Sequence, residues 1–220
     1  MREITCKSLF NSVPFYLEKL FRNAVYPWEI LPRINGYIVE IYDLCLEKGF
    51  IEYSPGILIG KEVKIPSSAT IMAPAIIGHE CVIRPGAYIR GNVITGTGCV
   101  IGNSCEIKNA ILLDYAQIPH FNYVGDSVIG NHAHMGASSV CSNLKADRSS
   151  VIVRSTPPIN SGLTKFGAII ADNAEVGCGC VLNPGTVVCQ NSRIYPLTSV
   201  RGVIQGNSIM KSADNIVPIK

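Results

Sequence analysis

Apolar residues recur at every sixth position through the middle of the chain. Eight of nine sixth positions are aliphatic and the exception is a threonine, in the series Ile65, Ile71, Ile77, Ile83, Ile89, Thr95, Ile101, Ile107 and Leu113. Small or compact residues follow four positions later, at Ala69, Ala75, Cys81, Ala87, Val93, Cys99 and Cys105. A second, independent series is aliphatic at all six positions, Ile170, Val176, Leu182, Val188, Ile194 and Val200.

A period of six fits neither the about 3.6 residues of a helical turn nor the alternation of an ordinary strand. It is typical of a hexapeptide β-helix, in which each hexad supplies a short strand and a corner. Three hexads close a triangular coil of about 18 residues, and successive coils stack about 4.8 Å apart. The sequence therefore predicts a mainly β protein, a single-stranded parallel β-helix. The similarity to hexapeptide-repeat proteins, and not the spacing itself, implies that its coils are left-handed.

Three segments lie outside this rhythm. Residues 1–55 carry two apolar sets at helical spacing, Leu17, Leu20, Phe21 and Ala24, and then Ile34, Ile38, Ile41 and Cys45. We expect a helical N-terminal cap over the open first coil, because the ends of a repeat array need covering. A polar loop, residues 142–168, interrupts the β-helix of residues 56–206, and residues 207–220 form a C-terminal tail. A loop of that length in a compact repeat is usually functional, with a tolerated surface excursion as the alternative.

Composition limits the partners to small molecules or proteins. The 220 residues include 19 basic and 16 acidic ones without a basic tract, which argues against nucleic acid. No apolar run approaches the roughly 20 residues that span a bilayer, and the start lacks a secretory layout, so we expect a cytoplasmic protein without a membrane partner. Most of the nine cysteines fall at core positions of the repeat, and the lone Cys-x-Cys pair predicts no metal site.

The six-residue spacing of inward positions becomes irregular in the segment that contains three of the four histidines. After Leu113, inward residues are predicted in steps of five, six, five and six, at Ile118, Val124, Ile129 and Met135. His120 lies two residues past an inward position, near a corner where its side chain can point outward. His120 and Tyr123 are therefore candidates for acid–base chemistry, because imidazole titrates near neutral pH. A solvated surface histidine is the alternative interpretation.

Two basic residues are predicted to stack beside this segment. Arg90 and Lys108 each follow an inward isoleucine and are 18 residues apart, which places them one coil apart on the same face. Two cations about 4.8 Å apart repel unless an anion lies between them. Gly125 occupies the equivalent position one coil further on and has no side chain to block a ligand. The pattern indicates a phosphate-binding site beside a stretch of surface that no side chain covers. Scattered surface charge is the alternative interpretation.

A family resemblance lies in residues 106–143, EIKNAILLDYAQIPHFNYVGDSVIGNHAHMGASSVCSN. This segment resembles the acetyltransferase domain of bifunctional glucosamine-1-phosphate acetyltransferase / N-acetylglucosamine-1-phosphate uridyltransferase and its archaeal sugar-1-phosphate counterparts. The specific element is His-x-x-Tyr-[Val/Leu]-Gly-Asp, here His120 to Asp126. The resemblance covers roughly residues 57–205 and implies acetyl transfer from acetyl-CoA to the amine of a hexosamine 1-phosphate. The chain has neither the length nor a glycine-rich loop for a uridyltransferase domain.

The resemblance implies a role for each matching residue. His120 corresponds to the general base that takes the proton from the attacking amine. The residues that it places around the sugar phosphate are an arginine, Lys108, Tyr123, His134 and Asn143. Coil counting selects Arg90 as that arginine, whereas the local sequence RPGA favours Arg84. The positions that it places along acetyl-CoA are Ala137, Cys178 and Pro196, and Arg201 and Lys211 are candidates for contact with the nucleotide phosphates of the cofactor.

The family also implies an assembly. Its acyl-CoA groove runs between neighbouring chains, so we expect a homotrimer in which each site shares the excursion loop or C-terminal residues of an adjacent chain. A flat face with outward aliphatics would suit this cyclic contact. Two sugar contacts depart from the family pattern, since His134 replaces an asparagine and Leu144 replaces a tyrosine of the bacterial enzymes.

Two other functions fit a hexapeptide β-helix. A gamma-type carbonic anhydrase holds zinc with three histidines from the interfaces between its subunits. The histidines of this chain are His79, His120, His132 and His134, and their spacing places no two of them one coil apart on facing strands. A non-catalytic trimeric scaffold or sugar-phosphate-binding protein would tolerate the altered contacts at His134 and Leu144. Turnover of acetyl-CoA with a hexosamine 1-phosphate distinguishes the scaffold from the enzyme.

Overall fold

The six-residue period folds as a parallel β-helix with three faces. The computed structural model describes residues 4–219, and residues 1–3 and 220 of the two predicted end segments lie outside that range. About nine turns of chain stack on one another. Neighbouring coils pair in parallel, as Ala75 does with Val93. The predicted left-handed β-helix of hexapeptide repeats is confirmed.

The strands fall on three faces, here named A, B and C. Face A contains Thr70–Ile71, Tyr88–Ile89, Val140–Cys141, Val181–Leu182 and Ser199–Val200. Face B contains Ile57–Ile59, Ala75–Ile77, Val93–Thr95, Ala168–Ile170, Thr186–Val188 and Val203–Ile204. Face C contains Val82–Ile83, Val100–Asn103, Gln117–His120, His134–Met135, Glu175–Val176, Arg193–Ile194 and Ser208–Ser212. Two long strands run along face A and continue around a corner onto face B, Glu106–Leu112 and Tyr123–Ile129.

Both predicted ladders line the interior of the β-helix. The first ladder and its small residues are buried together over most of their length, at Ile77, Ile83, Ile89, Ile101 and Ile107 and at Ala75, Cys81, Ala87, Val93, Cys99 and Cys105. Ile65, Ala69 and Ile71, in the first coil, pack against this cluster and are partly buried. The second ladder, from Ile170 to Val200, belongs to the same cluster. Removing this apolar surface from water is what stabilises the stacked coils.

Two shortened corners lie one above the other between faces A and B. Inward-pointing Ile107 is followed by Leu112, and inward-pointing Val124 is followed by Ile129, five residues later in each case. The sequence predicts the second of these steps correctly. It is wrong about Leu113, which does not point inward. Leu112 fills the interior, and Leu113 packs in the cluster that contains the N-terminal helices.

The N-terminal segment covers face B and does not cap the first coil as expected. Its helices are Cys6–Leu9, Glu18–Arg22, Ile34–Glu40 and Tyr42–Glu47, with 3-10 helices at Phe15–Leu17 and Pro27–Arg33. They form one buried cluster with outward side chains of seven coils, Leu58, Ile76, Ile94, Ile111, Val128, Ile169 and Val187. This placement follows because an aliphatic stripe on the outside of a sheet has to be buried by a second layer. The strand Ile51–Ser54 then pairs antiparallel with Ile57–Ile59.

The excursion loop folds back onto the same side of the molecule. It contains an antiparallel hairpin of two strands, Ile152–Val153 and Ile159–Asn160. The Phe166 ring joins the N-terminal cluster and lies 5.7 Å from the ring of Trp28. At the other end of the chain, Ser208–Ser212 continues face C and pairs antiparallel with Asn215–Pro218, so the β-helix extends past the predicted boundary at residue 206.

Candidate active site

The edge between faces A and B, here the AB edge, carries the predicted pair of cations. Ile89 lies opposite Ile107 in the sheet, so the next residues, Arg90 and Lys108, are one coil apart on this edge. Gly125 lies opposite Lys108, one coil further on. These registers confirm the predicted stacking of the three positions.

Arg90 and Lys108 are each paired with a carboxylate. Arg90 Nη1 lies 2.7 Å from Glu106 Oε1, and Lys108 Nζ lies 3.5 Å from Asp126 Oδ2. The expectation that an external anion must separate two bare cations is therefore wrong, because Glu106 and Asp126 already offset their repulsion. The ion pairs also hold both cationic side chains at this edge.

The surface at Gly125 is not left uncovered as predicted, because two polar groups lie over it. A Cβ added at Gly125 would lie 2.5 Å from the Tyr123 hydroxyl oxygen and 2.8 Å from Asn143 Nδ2, so a larger residue there would have to displace these two groups. Burial raises the pKa of the Tyr123 hydroxyl, and the nearby carboxylates of Asp126 and Glu106 raise it further. The hydroxyl is therefore protonated at neutral pH and can donate a hydrogen bond.

Asp126 connects three coils at the AB edge, although the sequence pattern gives no role to this residue. The residue is 5% exposed. Its Oδ1 accepts a hydrogen bond from Asn109 Nδ2 at 2.8 Å, and its Oδ2 accepts one from Asn143 Nδ2. Asn109, Asp126 and Asn143 are each separated by 17 residues, so every coil contributes one side chain. That repeated spacing is the signal from which the network could have been found.

His120 lies on the edge between faces C and A, here the CA edge, and its side chain is exposed. The strand Gln117–His120 ends at this corner. Asn122, which is 2% exposed, fixes the corner: its Oδ1 accepts from the His120 backbone N–H at 3.1 Å, and its Nδ2 donates to the Gly136 carbonyl at 2.8 Å. The imidazole therefore stands outside the interior, as the two-residue offset from Ile118 predicts.

A column of residues continues from His120 along the CA edge. Backbone hydrogen bonds between successive coils align four residues at equivalent positions, His120, Ala137, Cys178 and Pro196. Lys211 lies on the next coil of the same edge, with its ammonium nitrogen 5.9 Å from the centre of the Tyr195 ring. Four of the five positions predicted along acetyl-CoA therefore share one edge. Cys178 is the one exposed cysteine of the nine.

Arg84 and Arg90 lie on different edges of face A. Arg84 follows Ile83, which lies opposite Ile101 on face C, so Arg84 is on the CA edge with His120. Arg90 is the arginine that stands beside Lys108, as coil counting predicts. The local sequence match that favours Arg84 places it away from the cation pair.

Two further predicted residues lie apart from their expected neighbours within one chain. Arg201 is on the AB edge, where its Nη2 donates to Asn183 Oδ1 at 2.8 Å, and not beside the acetyl-CoA column. His134 is half-buried on face C opposite Glu175, on the far side of the CA edge from Tyr123. A single chain therefore brings together Arg90, Lys108, Tyr123 and Asn143, and separately Ala137, Cys178, Pro196 and Lys211.

The described residues offer no metal site and no membrane-spanning helix. Residues 4–219 contain no group of three or more His, Cys, Asp or Glu that could hold a metal ion. The helices in that range are too short or too polar to cross a membrane. A cavity of about 560 Å³ lies between the N-terminal segment and the excursion hairpin, lined by residues such as Tyr26, Arg154 and Pro157. The candidate active site is instead the surface of face A between its two edges.

Known proteins with similar sequences or folds include sugar-phosphate enzymes. The family model of the GMPPB C-terminal domain matches residues 71–162. The bifunctional protein GlmU of Methanococcus vannielii is 32% identical over 218 residues, 96% of this chain and 52% of that protein. The bifunctional sugar-1-phosphate nucleotidylyltransferase/acetyltransferase of Sulfurisphaera tokodaii is 31% identical over 175 residues, 77% of this chain and 43% of that protein. The solved UDP-N-acetylglucosamine O-acyltransferase of Moraxella catarrhalis matches with a TM-score of 0.44 and 16% identity, over 74% of this chain and 72% of that one.

The fold and the repeat define a hexapeptide-repeat β-helix protein. Within that class, the chain is related to GlmU-like proteins and fits their C-terminal acetyltransferase domain. The predicted resemblance is therefore confirmed. The chain spans about half the length of the curated relatives that it matches.

Proposed function

We propose that the protein is a CoA-dependent N-acetyltransferase that moves an acetyl group from acetyl-CoA to the amine of a hexosamine 1-phosphate. The names of the relatives support the reaction type, and the AB edge supports the acceptor. Arg90 and Lys108 supply two cations and Tyr123 supplies a hydroxyl donor, a set that suits a phosphate monoester. The observation that carries the proposal is that this set and the exposed imidazole of His120 lie on the two edges of one face.

A sugar ring with its phosphate can bridge the two edges. His120 and Tyr123 are three residues apart, and three residues of chain span at most about 11 Å. When the phosphate lies against Lys108 and Tyr123 on the AB edge, the sugar ring extends over face A toward the CA edge. The amine can then face the imidazole of His120, where the reaction takes place.

His120 acts as the general base. Its imidazole takes a proton from the amine while the amine nitrogen forms a bond to the carbonyl carbon of the acetyl group. The carbon–sulfur bond then breaks, and His120 returns the proton to the departing CoA sulfur. A positioned base of this kind contributes about a factor of 10² to 10⁴ to the rate.

We also propose that acetyl-CoA binds along the CA edge of a homotrimer in the cytoplasm. Ala137, Cys178 and Pro196 are compact side chains that leave room for an extended cofactor arm. Arg201 meets this column in a neighbouring chain, since it lies on the opposite edge of its own chain. The N-terminal segment occupies face B, so the contact between chains uses faces A and C and not the face with outward aliphatics that we expected. Nine free cysteines suit the reducing cytoplasm.

Acetyl transfer to a panel of amino sugar 1-phosphates tests the proposed function. Purified protein is expected to convert acetyl-CoA to CoA, separated by chromatography, with glucosamine 1-phosphate or galactosamine 1-phosphate as the acceptor. His120→Ala is expected to lower kcat by about 10² to 10⁴. His132→Ala is the matched control, because His132 is also exposed but stacks on Tyr115 at the edge between faces B and C.

Two results would contradict the proposal. A wild-type rate in His120→Ala would remove His120 from the mechanism. No turnover with any amino sugar would favour the alternative, a non-catalytic scaffold or sugar-phosphate-binding protein, which the changed residues at His134 and Leu144 would permit.

A further inference from the structure

Asp126 is surrounded by donors at the AB edge. Asn109 Nδ2 donates to Oδ1 at 2.8 Å, and Asn143 Nδ2 donates to Oδ2. The ammonium nitrogen of Lys108 lies 3.5 Å from Oδ2. Only 8% of the Asp126 side chain is exposed, so this carboxylate is almost completely enclosed by groups from three coils.

An ionised carboxylate only accepts hydrogen bonds, so Asp126 sets the direction of the amides around it. Asn109 and Asn143 turn their NH₂ groups toward it, because an amide oxygen in the same place would be repelled. Asn143 Nδ2 and the Tyr123 hydroxyl oxygen both lie over Gly125, 2.8 Å and 2.5 Å from the position that a Cβ would take there, so the two groups are neighbours. Because the Asn143 nitrogen is a donor, it faces the Tyr123 oxygen as a donor, and the hydroxyl hydrogen is left for a group outside the network.

We propose that Asp126 is the positioning residue of the acceptor site. It orients Asn143, and through Asn143 the O–H group of Tyr123, toward the phosphate of the acceptor, and it holds Lys108 beside them. This inference rests on the proposed function, because it takes the ligand to be an amino sugar 1-phosphate. A phosphate oxygen is itself an acceptor, so it binds best where every surrounding group is a donor.

Asp126→Asn tests this role with little change in size. Asparagine also tolerates the left-handed backbone of this position, where φ is +49°. The new amide cannot accept from both Asn109 and Asn143, and Lys108 loses its counter-charge. We expect the dissociation constant of glucosamine 1-phosphate, measured by calorimetry, to rise by about tenfold to a hundredfold, the value of a hydrogen bond to a charged group.

Steady-state kinetics of Asp126→Asn give a second readout. KM for glucosamine 1-phosphate is expected to rise with the dissociation constant, while KM for acetyl-CoA stays unchanged and kcat changes less than KM. A general loss of structure would not produce this pattern, because a smaller amount of folded enzyme lowers kcat and leaves both KM values unchanged.

Asp172→Asn is the matched control. Asp172 is 1% exposed and accepts hydrogen bonds of 2.8 to 2.9 Å from the backbone of Asn11 and from the backbone and amide of Asn131. It anchors the N-terminal segment at another edge, so its substitution measures the loss of a buried carboxylate alone. A lower unfolding midpoint with wild-type affinity for glucosamine 1-phosphate is the expected result.

The outcomes separate this inference from the proposed function. Unchanged or tighter binding by Asp126→Asn overturns the positioning role, and so does an equal loss of affinity in Asp172→Asn. Wild-type protein that binds glucosamine 1-phosphate without acetylating it contradicts the proposed function, while the comparison of the two variants still decides the role of Asp126. Wild-type protein that does not bind amino sugar 1-phosphates overturns both.

Discussion

Arg84 and Arg90 are one hexad apart, and that single step moves an arginine from one edge of face A to the other. Arg90 donates a hydrogen bond to Glu106 on the AB edge, beside Lys108. Arg84 directly follows Ile83 of face C and lies on the CA edge, where His120 is also found. We predict that Arg90→Ala raises KM for the amino sugar 1-phosphate by about tenfold or more, because a guanidinium–phosphate contact is a charge-assisted hydrogen bond. Initial rates with the sugar phosphate varied at saturating acetyl-CoA measure it.

Arg84→Ala is the matched control for this prediction, with an expected KM equal to that of wild type. The kinetic comparison is direct because the ion pair of Arg90 and Glu106 is exposed, and such pairs contribute little to stability. A larger effect in Arg84→Ala would show that the local sequence match, and not the count of coils, identifies the phosphate-binding arginine.

Position on the coil can be predicted for single residues, whereas the pairing of side chains across coils cannot. The period places Arg90 and Lys108 on one edge because a parallel register carries every residue to its equivalent in the next coil. The network around Asp126 depends in addition on side-chain rotamers and on where the corners shorten. The sequence shows Asn109 and Asn143 at equal distances from Asp126, but it does not show that their amides reach the carboxylate.

At the scale of elements, hexad counting identifies the β-helix and one of the two stacked five-residue corners, Val124 to Ile129. It is wrong about the other because Leu112 and Leu113 are adjacent aliphatics, and either can continue the series. Packing decides between them, since the interior takes Leu112 and the N-terminal helices bury Leu113. Helical periodicity likewise gives the N-terminal segment an apolar face without identifying its partner. The sequence signal that could have identified this partner is the aliphatic residue at the outward position of each face B strand.

The N-terminal layer makes the outward side of face B a second core, and Ile94 tests this. Ile94 points away from the β-helix interior, yet it is fully buried in the cluster with the helices. We predict that Ile94→Ala lowers the free energy of unfolding by about 2 to 5 kcal/mol, as truncation of a core isoleucine does. Urea unfolding followed by the fluorescence of Trp28 measures it, because Trp28 belongs to the same cluster.

Ile209→Ala is the matched control for Ile94→Ala. Ile209 has an outward position on face C, is half-buried, and lies outside both buried clusters. Its truncation is expected to cost clearly less free energy of unfolding. Equal losses in the two variants would mean that the helices do not pack on face B in solution.

At the scale of the whole molecule, the two edges of face A divide the proposed reaction between them. In that proposal the AB edge binds the acceptor phosphate, and the CA edge carries His120 and the residues proposed to line acetyl-CoA. Arg201 is on the AB edge of its own chain, so it reaches the column only where the edge of one chain approaches that of the next. The family resemblance predicts this assembly, whereas the hexad pattern does not. The hexad period distinguishes inward from outward residues, but it does not show which outward residues contact another subunit.

Leu197 provides the test of the assembly. It is 85% exposed on the CA edge, where Phe121 and Tyr195 are also exposed, and an apolar strip of this kind is typical of a surface that another chain covers. We predict that Leu197→Asp converts the proposed trimer to smaller species and lowers acetyl transfer in parallel, because each proposed site then loses the residues of its neighbour. Light scattering after size-exclusion chromatography measures the mass, and acetyl-CoA consumption by the same fractions measures the activity.

Val39→Asp is the matched control for Leu197→Asp. Val39 is 69% exposed in the helix Ile34–Glu40, on the layer that covers face B and therefore opposite the CA edge. It is expected to leave both mass and activity unchanged, although it adds the same charge. If Leu197→Asp also keeps the wild-type mass and rate, or if wild type is fully active with the mass of a single chain, the sites are not shared. Arg201 would then have no part in holding acetyl-CoA, since nothing would bring it to the CA edge.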